Sequence, residues 1–322
     1  GIIFQRIDLK NKPTVRAIFK NVASTNRSTN IKDKNAEVQT IEHLMAAIFT
    51  LGIDNLLIKI DNVEVPILDG SSKKFIEILR NSSIKEQSSM KKSIRITKKH
   101  IIKIDENESY YQIEPSENFS VEVKLDYDAR FLKNQIAVLE DINKFEDQIS
   151  SARTFSFLNE VDYLIKNNLI KGGNLDNSVI IVNENANEDV KKYLIDKFGK
   201  ENLSFEIGKL LNKKKLRFDN EPARHKLLDF IGDLSLIGSN IQGKITCFKP
   251  GHKSNYEFVK KLDKIMSEEN RKIAPKIDFS EKPYYDINDI KNILPHREPF
   301  IFIDEIRGLG EDFIIGVKYV KE

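Results

Sequence analysis

Asp229 follows His225 by four residues, and Asp233 follows Asp229 by four. On a helix turning about 100° per residue the three side chains fall within one arc of about 80°. Leu227, Leu228, Ile231 and Leu234 take the opposite arc, the side that faces a core. Gly232 lies beside the polar arc and leaves room there. One face is therefore apolar, while the other presents a His-x3-Asp ligand pair with a third acid behind it. A solvated helix face gives the same spacing, so the rest of the chain must decide between the two.

Two histidines and one carboxylate make a three-ligand zinc set that leaves a fourth position for water. His43 could complete the set. It lies far away in sequence, so the metal would sit where two domains meet. Zinc lowers the pKa of a bound water to about 7. Glu42, next to His43, could flank the metal without ligating it and act as general base. His252, on the turn Pro250-Gly251, could protonate a leaving amine or stabilise an oxyanion. Asp233 could hold that imidazole in its charged form. Thr154, beside Arg153 in a loop, could donate to a carbonyl oxygen. His100 lies among lysines, and His296 near the C-terminus. No spacing brings His43 to His225, so a zinc hydrolase and chance spacing both stand on the residues alone.

The elements that must position these groups read as two sets of strands and helices. Strands are expected at Ile2 to Arg6, Thr14 to Phe19 and Asn55 to Ile60, with helices from Thr40 to Phe49 and from Ser72 to Arg80. Residues 21–34 read as a polar loop, and 81–92 as a linker. Strands resume at Ser93 to Ile104, Tyr110 to Glu114, Ser120 to Tyr127, Ser178 to Val182 and Gly243 to Phe248. A helix is expected from about Asn159 to Asn167, a loop at Gly172-Gly173, and a charged periphery over 184–215. Asn220 can cap the histidine-bearing helix, Pro222 sits in its first turn and Gly238 ends it. A last helix of this set runs from Asn255 to about Met266. The class is α+β in two similar layered domains, 1–85 and 91–266. A linker follows at 267–284. Residues 285–322, with a helix at Asp286 to Leu294 and strands at Ile301 to Ile306 and Phe313 to Tyr319, read as the start of a further domain. The opening Gly1-Ile2-Ile3-Phe4 falls inside a strand, and a chain truncated at both ends is the expectation.

Composition narrows the classes. Lys+Arg 52 against Asp+Glu 49 gives +3 over 322 residues, so charge makes no case for a nucleic-acid partner. One cysteine, Cys247, excludes a disulfide framework and a cysteine zinc cage; it reads as a small core residue. No apolar run approaches the about 18 residues of a membrane span, so no integral membrane segment is expected and the cytoplasm is the default location.

The residues also carry a resemblance. Thr40-Ile41-Glu42-His43-Leu44-Met45-Ala46-Ala47, Gly52-Ile53-Asp54-Asn55 and Val65-Pro66-Ile67-Leu68-Asp69-Gly70-Ser71-Ser72 resemble the zinc-dependent UDP-3-O-acyl-N-acetylglucosamine deacetylases. So do Ala152-Arg153-Thr154-Phe155, Gly172-Gly173-Asn174-Leu175-Asp176-Asn177, Arg224 to Asp233, and Lys249-Pro250-Gly251-His252, all in family order over roughly residues 1–266. The resemblance implies hydrolysis of the N-acetyl group of a UDP-linked 3-O-acylated glucosamine, with release of acetate, the committed step of lipid A synthesis. It implies one Zn2+ per chain, or Fe2+, on His43, His225 and Asp229, with Glu42 as general base. It implies His252 as general acid with Asp233 its partner, and Thr154 stabilising the oxyanion. Lys226 would face the sugar-diphosphate and Phe155 line the sugar site, with an acyl passage near Gly172 to Val182. The implied fold packs helices between two sheets.

Asn174 stands where that family often has serine, as does Pro250, and the family's first strands are absent before Gly1. Leu294-Pro295-His296-Arg297-Glu298-Pro299-Phe300-Ile301-Phe302-Ile303-Asp304 resembles the start of a hot-dog 3-hydroxyacyl-[acyl-carrier-protein] dehydratase, fused behind the deacetylase in some bacteria. Acyl-carrier protein would be a partner of that part alone. The rival reading is an inactive nucleotide-sugar-binding fragment, with dehydratase activity only in a full-length fusion.

Overall fold

The computed structural model describes residues 1–89, 91, 93–104, 108–126, 134–161, 174–213, 215–271, 277–310 and 313–320. The chain divides into two compact units, Gly1–Asp263 and Lys264–Glu322. The first unit opens with β1 (Ile2–Arg6), β2 (Thr14–Arg16), β3 (Val22–Ser24), β4 (Asn30–Asp33) and β5 (Ala36–Val38). Then come α1 (Glu42–Thr50), β6 (Leu56–Ile60) and α2 (Lys73–Arg80). Its later part holds β7 (Ser93–Arg95), β8 (His100–Ile104), β9 (Ser109–Glu114), β10 (Ser120–Leu125), β11 (Gln135–Leu139) and α3 (Phe145–Gln148). It continues with β12 (Phe155–Phe157), β13 (Val179–Ile181), α4 (Glu188–Phe198), α5 (Glu221–Leu234), β14 (Asn240–Gln242), β15 (Lys244–Phe248) and α6 (His252–Arg271).

The two parts of this unit repeat one topology. β1 pairs antiparallel with β2 and parallel with β6, and α1 lies in the crossover between β1 and β6. β10 pairs antiparallel with β11 and parallel with β15, and α5 lies in that crossover. Parallel neighbours require such a crossover, and a helix is the usual way to build it. The sheet orders match, β2-β1-β6 against β11-β10-β15, the second being extended by β9 and β8. α2 follows β6 as α6 follows β15. The α+β class and the doubled layering expected from sequence are both present.

Sequence explains why α1 and α5 meet in the middle. α1 is apolar nearly all round and buried from Glu42 through Ile48, the pattern of an internal helix. α5 packs its leucines toward β10 and β11, where Val121, Val123 and Leu125 alternate inward. Its other face packs on α1. Gly232 makes the approach possible: a Cβ there would lie 2.1 Å from the Glu42 carbonyl oxygen. Gly70 is fixed twice over, by φ +78° and by an Asn177 carbonyl 1.8 Å from where its Cβ would stand.

Several local expectations need correction. Residues 21–34 are not a loop but contain β3 and β4, whose one fully buried side chain, Ile31, leaves no alternation to read. The expected strand from Thr14 to Phe19 ends at Arg16, and a 3-10 turn follows. The run from Ser93 to Ile104 splits between two sheets. β11 was not foreseen; Ile136 and Val138 face outward, so its apolar run has no polar face. β12 lies where only a loop before a helix was expected. Residues 162–167 of that helix, and Gly172-Gly173, lie outside the described residues. The charged stretch 184–215 contains α4, which buries Val190 and Leu194 against Leu158, Val182, Leu203 and Leu211. Asn220 occupies the N-cap position of α5 without capping it. Its side chain instead donates to the Ile136 carbonyl at 2.6 Å and accepts from Arg224 at 2.7 Å. α6 starts at His252, three residues earlier than expected.

The second unit has α7 (Ile287–Ile293), opened by a capping box between Asp286 and Asp289, and the antiparallel pair β16 (Glu305–Leu309) and β17 (Ile314–Val317). β16 begins four residues later than the strand expected at Ile301.

Gly232→Ala is expected to lower thermal stability, because overpacking of a close helix contact costs about 1–3 kcal/mol. Thermal unfolding of parent and variant measures this. A variant as stable as its parent would mean that α1 and α5 are not in that contact.

Candidate metal centre and acid–base groups

Glu42 and His43 occupy the first turn of α1, and His225, Asp229 and Asp233 occupy successive turns of α5. At the crossing of the two helices all five are buried: exposures are 3% for Glu42, 4% for His43 and 2% for each of the other three. A solvated face is thereby ruled out, and each polar group needs a partner. His252, 8% exposed, joins them from the first residue of α6.

The partners of His225 and Asp229 point to a cation. His225 Nδ1 lies 3.0 Å from the Ala152 carbonyl oxygen, which can only accept, so Nδ1 carries the proton. Burial pushes the ring down to about 4 against the pull of Asp229, so at neutral pH it is uncharged. Its Nε2 then holds a lone pair, 3.3 Å from Asp229 Oδ1. His43 Nε2 lies 3.6 Å from the same oxygen. Burial would raise the Asp229 carboxyl, but His225, Lys226, His43 and His252 outweigh it and hold the group well below the usual range. Asp229 Oδ1 is buried and has no hydrogen-bond partner among the described residues. Two electron-rich atoms therefore face each other with no proton assigned between them. A bound cation resolves this, and neutral imidazole with carboxylate is a zinc-type donor set. His43, His225 and Asp229 each offer a ligand atom within 4.8 Å of the others, the one such trio among the described residues.

Beside this trio stand an acid and a base. Burial pushes the Glu42 carboxyl up, with His252 and His43 offsetting part of the shift. Glu42 Oε2 accepts from the Thr29 main-chain N–H at 3.0 Å. Two residues before it, Thr40 has φ 59°, a conformation that costs a β-branched residue about 1–3 kcal/mol. Asn30 Oδ1 on the Thr40 amide (3.0 Å) and Glu64 on its hydroxyl (2.9 Å) hold that strained entry to α1. His252 Nδ1 lies 3.0 Å from Asp233 Oδ2, and its Nε2 lies 3.8 Å from Asp229 Oδ2. Burial disfavours the His252 cation, but Asp233 first, then Asp229 and Glu42, raise the ring to about 9. His252 is thus charged at neutral pH, the form in which it can give up a proton.

Thr154 and Phe155 lie at the start of β12. The Thr154 amide donates to Gly70 (2.8 Å), and its carbonyl accepts from Val179 (2.8 Å). Arg153 and Glu221 form a buried fork, Nε to Oε1 at 2.9 Å and Nη2 to Oε2 at 3.1 Å, which ties this segment to the start of α5. The adjoining Ala152 carbonyl is the one that sets the His225 tautomer. Lys226 Nζ reaches Asp229 Oδ2 at 3.0 Å and lies 5.5 Å from the Phe155 ring centroid. Glu42, His43, His225, Asp229, Asp233 and His252 thus meet at the α1–α5 crossing, Lys226 and Phe155 adjoin it through Asp229 and His225, and Thr154 directly precedes Phe155.

One residue escaped the sequence reading. Thr29 is 2% exposed and contacts Glu42, Asp233 and His252. It sits in Arg27-Ser28-Thr29-Asn30, a polar stretch with no pattern to single it out. Cys247, as expected, is buried, with its thiol pushed well up by burial.

Comparison with known proteins gives a consistent picture. Residues 1–197 and 200–264 match the family described as UDP-3-O-acyl N-acetylglycosamine deacetylase. A protein of Porphyromonas gingivalis named bifunctional enzyme LpxC/FabZ is 41% identical over 320 residues, covering 99% of this chain and 69% of that protein. A namesake from Bacteroides thetaiotaomicron is 38% identical over the same share of each. A UDP-3-O-acyl-N-acetylglucosamine deacetylase of Teredinibacter turnerae is 35% identical over 267 residues, covering 82% of this chain and 80% of that protein.

Metal content separates ligand from neighbour. Asp229→Ala is expected to lose bound zinc, whereas Glu42→Ala keeps it, as read by elemental analysis of the purified variants after dialysis. Equal loss from both would contradict this division.

Proposed function

The chain belongs to the UDP-3-O-acyl N-acetylglycosamine deacetylase family, and on that premise we propose that it hydrolyses the N-acetyl group of UDP-3-O-(3-hydroxyacyl)-N-acetylglucosamine in lipid A biosynthesis. The observation that carries the reading is the meeting of a buried base, Glu42, and a buried protonated imidazole, His252, at one cation-seeking trio. His43, His225 and Asp229 would hold a Zn2+ ion, with Fe2+ as the alternative. When bound, such an ion supplies Lewis acidity that polarises the amide carbonyl and makes water a nucleophile near neutral pH.

The chain's own groups do the rest. Glu42 takes the proton of the attacking water; its Oε2 is engaged by Thr29, which leaves Oε1 for that transfer. The Thr154 hydroxyl donates to the oxygen on which negative charge grows. His252 gives its proton to the sugar nitrogen as the C–N bond breaks, so the products are acetate and a free amine. Asp233 keeps the His252 ring oriented and charged until then. Lys226 and Phe155 form the approach to His225, where the sugar and its diphosphate would bind. Burial of the whole set strengthens each electrostatic contact.

We assign residues 1–85 and 91–266 to the deacetylase and 267–284 to a linker. Residues 285–322 we assign to the start of a 3-hydroxyacyl-[acyl-carrier-protein] dehydratase domain, in line with the bifunctional names of two relatives. Acyl-carrier protein would serve only that domain. Among the described residues no helix is long and apolar enough to cross a membrane. A UDP-sugar substrate goes with a cytoplasmic site of action.

Acetate release from the UDP-sugar, followed against pH, tests the roles. A general acid works only while protonated, so the rate is expected to fall as pH passes about 9, where His252 loses its proton. It is expected to fall at low pH as Glu42 gains one. His252→Gln should lower kcat about 10²–10⁴-fold and remove the basic limb. A basic limb that survives this substitution would contradict the assignment.

A further inference from the structure

We infer that Thr29 is a positioning residue that sets the base and the acid in register through a single side chain and its own amide. The inference rests on the roles proposed for Glu42 and His252. Thr29 lies between β3 and β4 and is 2% exposed. Its carbonyl accepts from the Ile41 amide at 3.2 Å, which locks it to the entry of α1. Its amide donates to Glu42 Oε2 at 3.0 Å. Its hydroxyl lies 2.5 Å from Asp233 Oδ1 and 3.3 Å from His252 Nδ1.

Proton counting assigns these contacts. An ionised carboxylate only accepts, so the single hydroxyl proton of Thr29 goes to Asp233 Oδ1. The Nδ1 proton of His252 goes to Asp233 Oδ2 at 3.0 Å, and a Thr29 lone pair faces it as a second, longer acceptor. Asn255 Nδ2 also donates to Oδ2, at 2.8 Å. Asn255 is fixed in turn by the buried Tyr111 hydroxyl at 2.7 Å. Both oxygens of Asp233 are thus engaged, Oδ2 by groups of α6 and Oδ1 by Thr29. Thr29 is the contact that refers the α6 pair to the strands beside α1. It therefore fixes where His252 Nε2 points relative to Glu42 Oε1. A displacement of either group by about 1 Å is enough to cost about 10²-fold in rate.

The test compares Thr29→Val with Thr29→Ser in the full chain. Valine keeps the shape and the amide but removes the hydroxyl, while serine keeps the hydroxyl. The measurements are kcat and KM for acetate release, bound zinc, and the NMR resonance of the His252 Nδ1 proton in histidine-labelled protein. Thr29→Val is expected to lower kcat about 10–100-fold, the usual effect of losing such a supporting hydrogen bond. KM should stay within about twofold, as ground-state binding is untouched, with zinc unchanged and the Nδ1 resonance shifted. Thr29→Ser should restore both kcat and the resonance. Full kcat in Thr29→Val, or a Thr29→Ser protein as impaired as Thr29→Val, overturns the inference. So does an Nδ1 resonance that does not move in Thr29→Val. A parent protein that releases no acetate would count against the proposed function, while the resonance would still decide the contact.

Discussion

An ionised carboxylate, Asp229, is held out of water between two imidazoles, and most of the first unit serves to keep it there. Removing a carboxylate from water costs several kcal/mol unless charge and hydrogen bonds repay it. Lys226 satisfies Oδ2, but Oδ1 faces the Nε2 atoms of His225 and His43 with no hydrogen-bond partner among the described residues. The neutral state of His225, set by the Ala152 carbonyl and by burial, makes that oxygen a ligand in waiting rather than half of an ion pair.

That geometry depends on two helices approaching almost to backbone contact. The repeated topology supplies them, since α1 and α5 are equivalent crossovers in the two halves. Gly232 lets the turn of α5 between Asp229 and Asp233 lie against the Glu42 carbonyl. The same contact that brings His43 to His225 thus brings Glu42 beside Asp233. Acid and base are then separated by environment. Burial favours the neutral form of Glu42, while Asp233 keeps His252 charged. Both shifts are upward, which makes Glu42 a stronger base and keeps His252 protonated.

Much of α5 was legible because helical periodicity maps directly onto a face. His225, Asp229 and Asp233 declare a shared arc, and the leucines declare the core side. What periodicity could not supply was depth, since both faces of α5 are buried. Nor could it bring α1 to α5, a contact between residues far apart in sequence. The division of roles among the polar groups came from family resemblance, not from spacing. Thr29 was invisible because it acts through a main-chain amide and one hydroxyl in a patternless polar segment. The short strands around it were missed for a related reason, each offering little alternation to read. Asn220 shows the converse: a good capping residue in the capping position whose side chain other partners claim.

The buried Asp229 oxygen and the two ring nitrogens are arranged as donors for one metal ion. Crystals of the protein grown with zinc, measured on both sides of the zinc absorption edge, test this arrangement directly. One anomalous peak is expected, bonded to His43, His225 and Asp229 at about 2.0–2.2 Å. The absence of a peak among these three residues, or a peak held by other side chains, would contradict it.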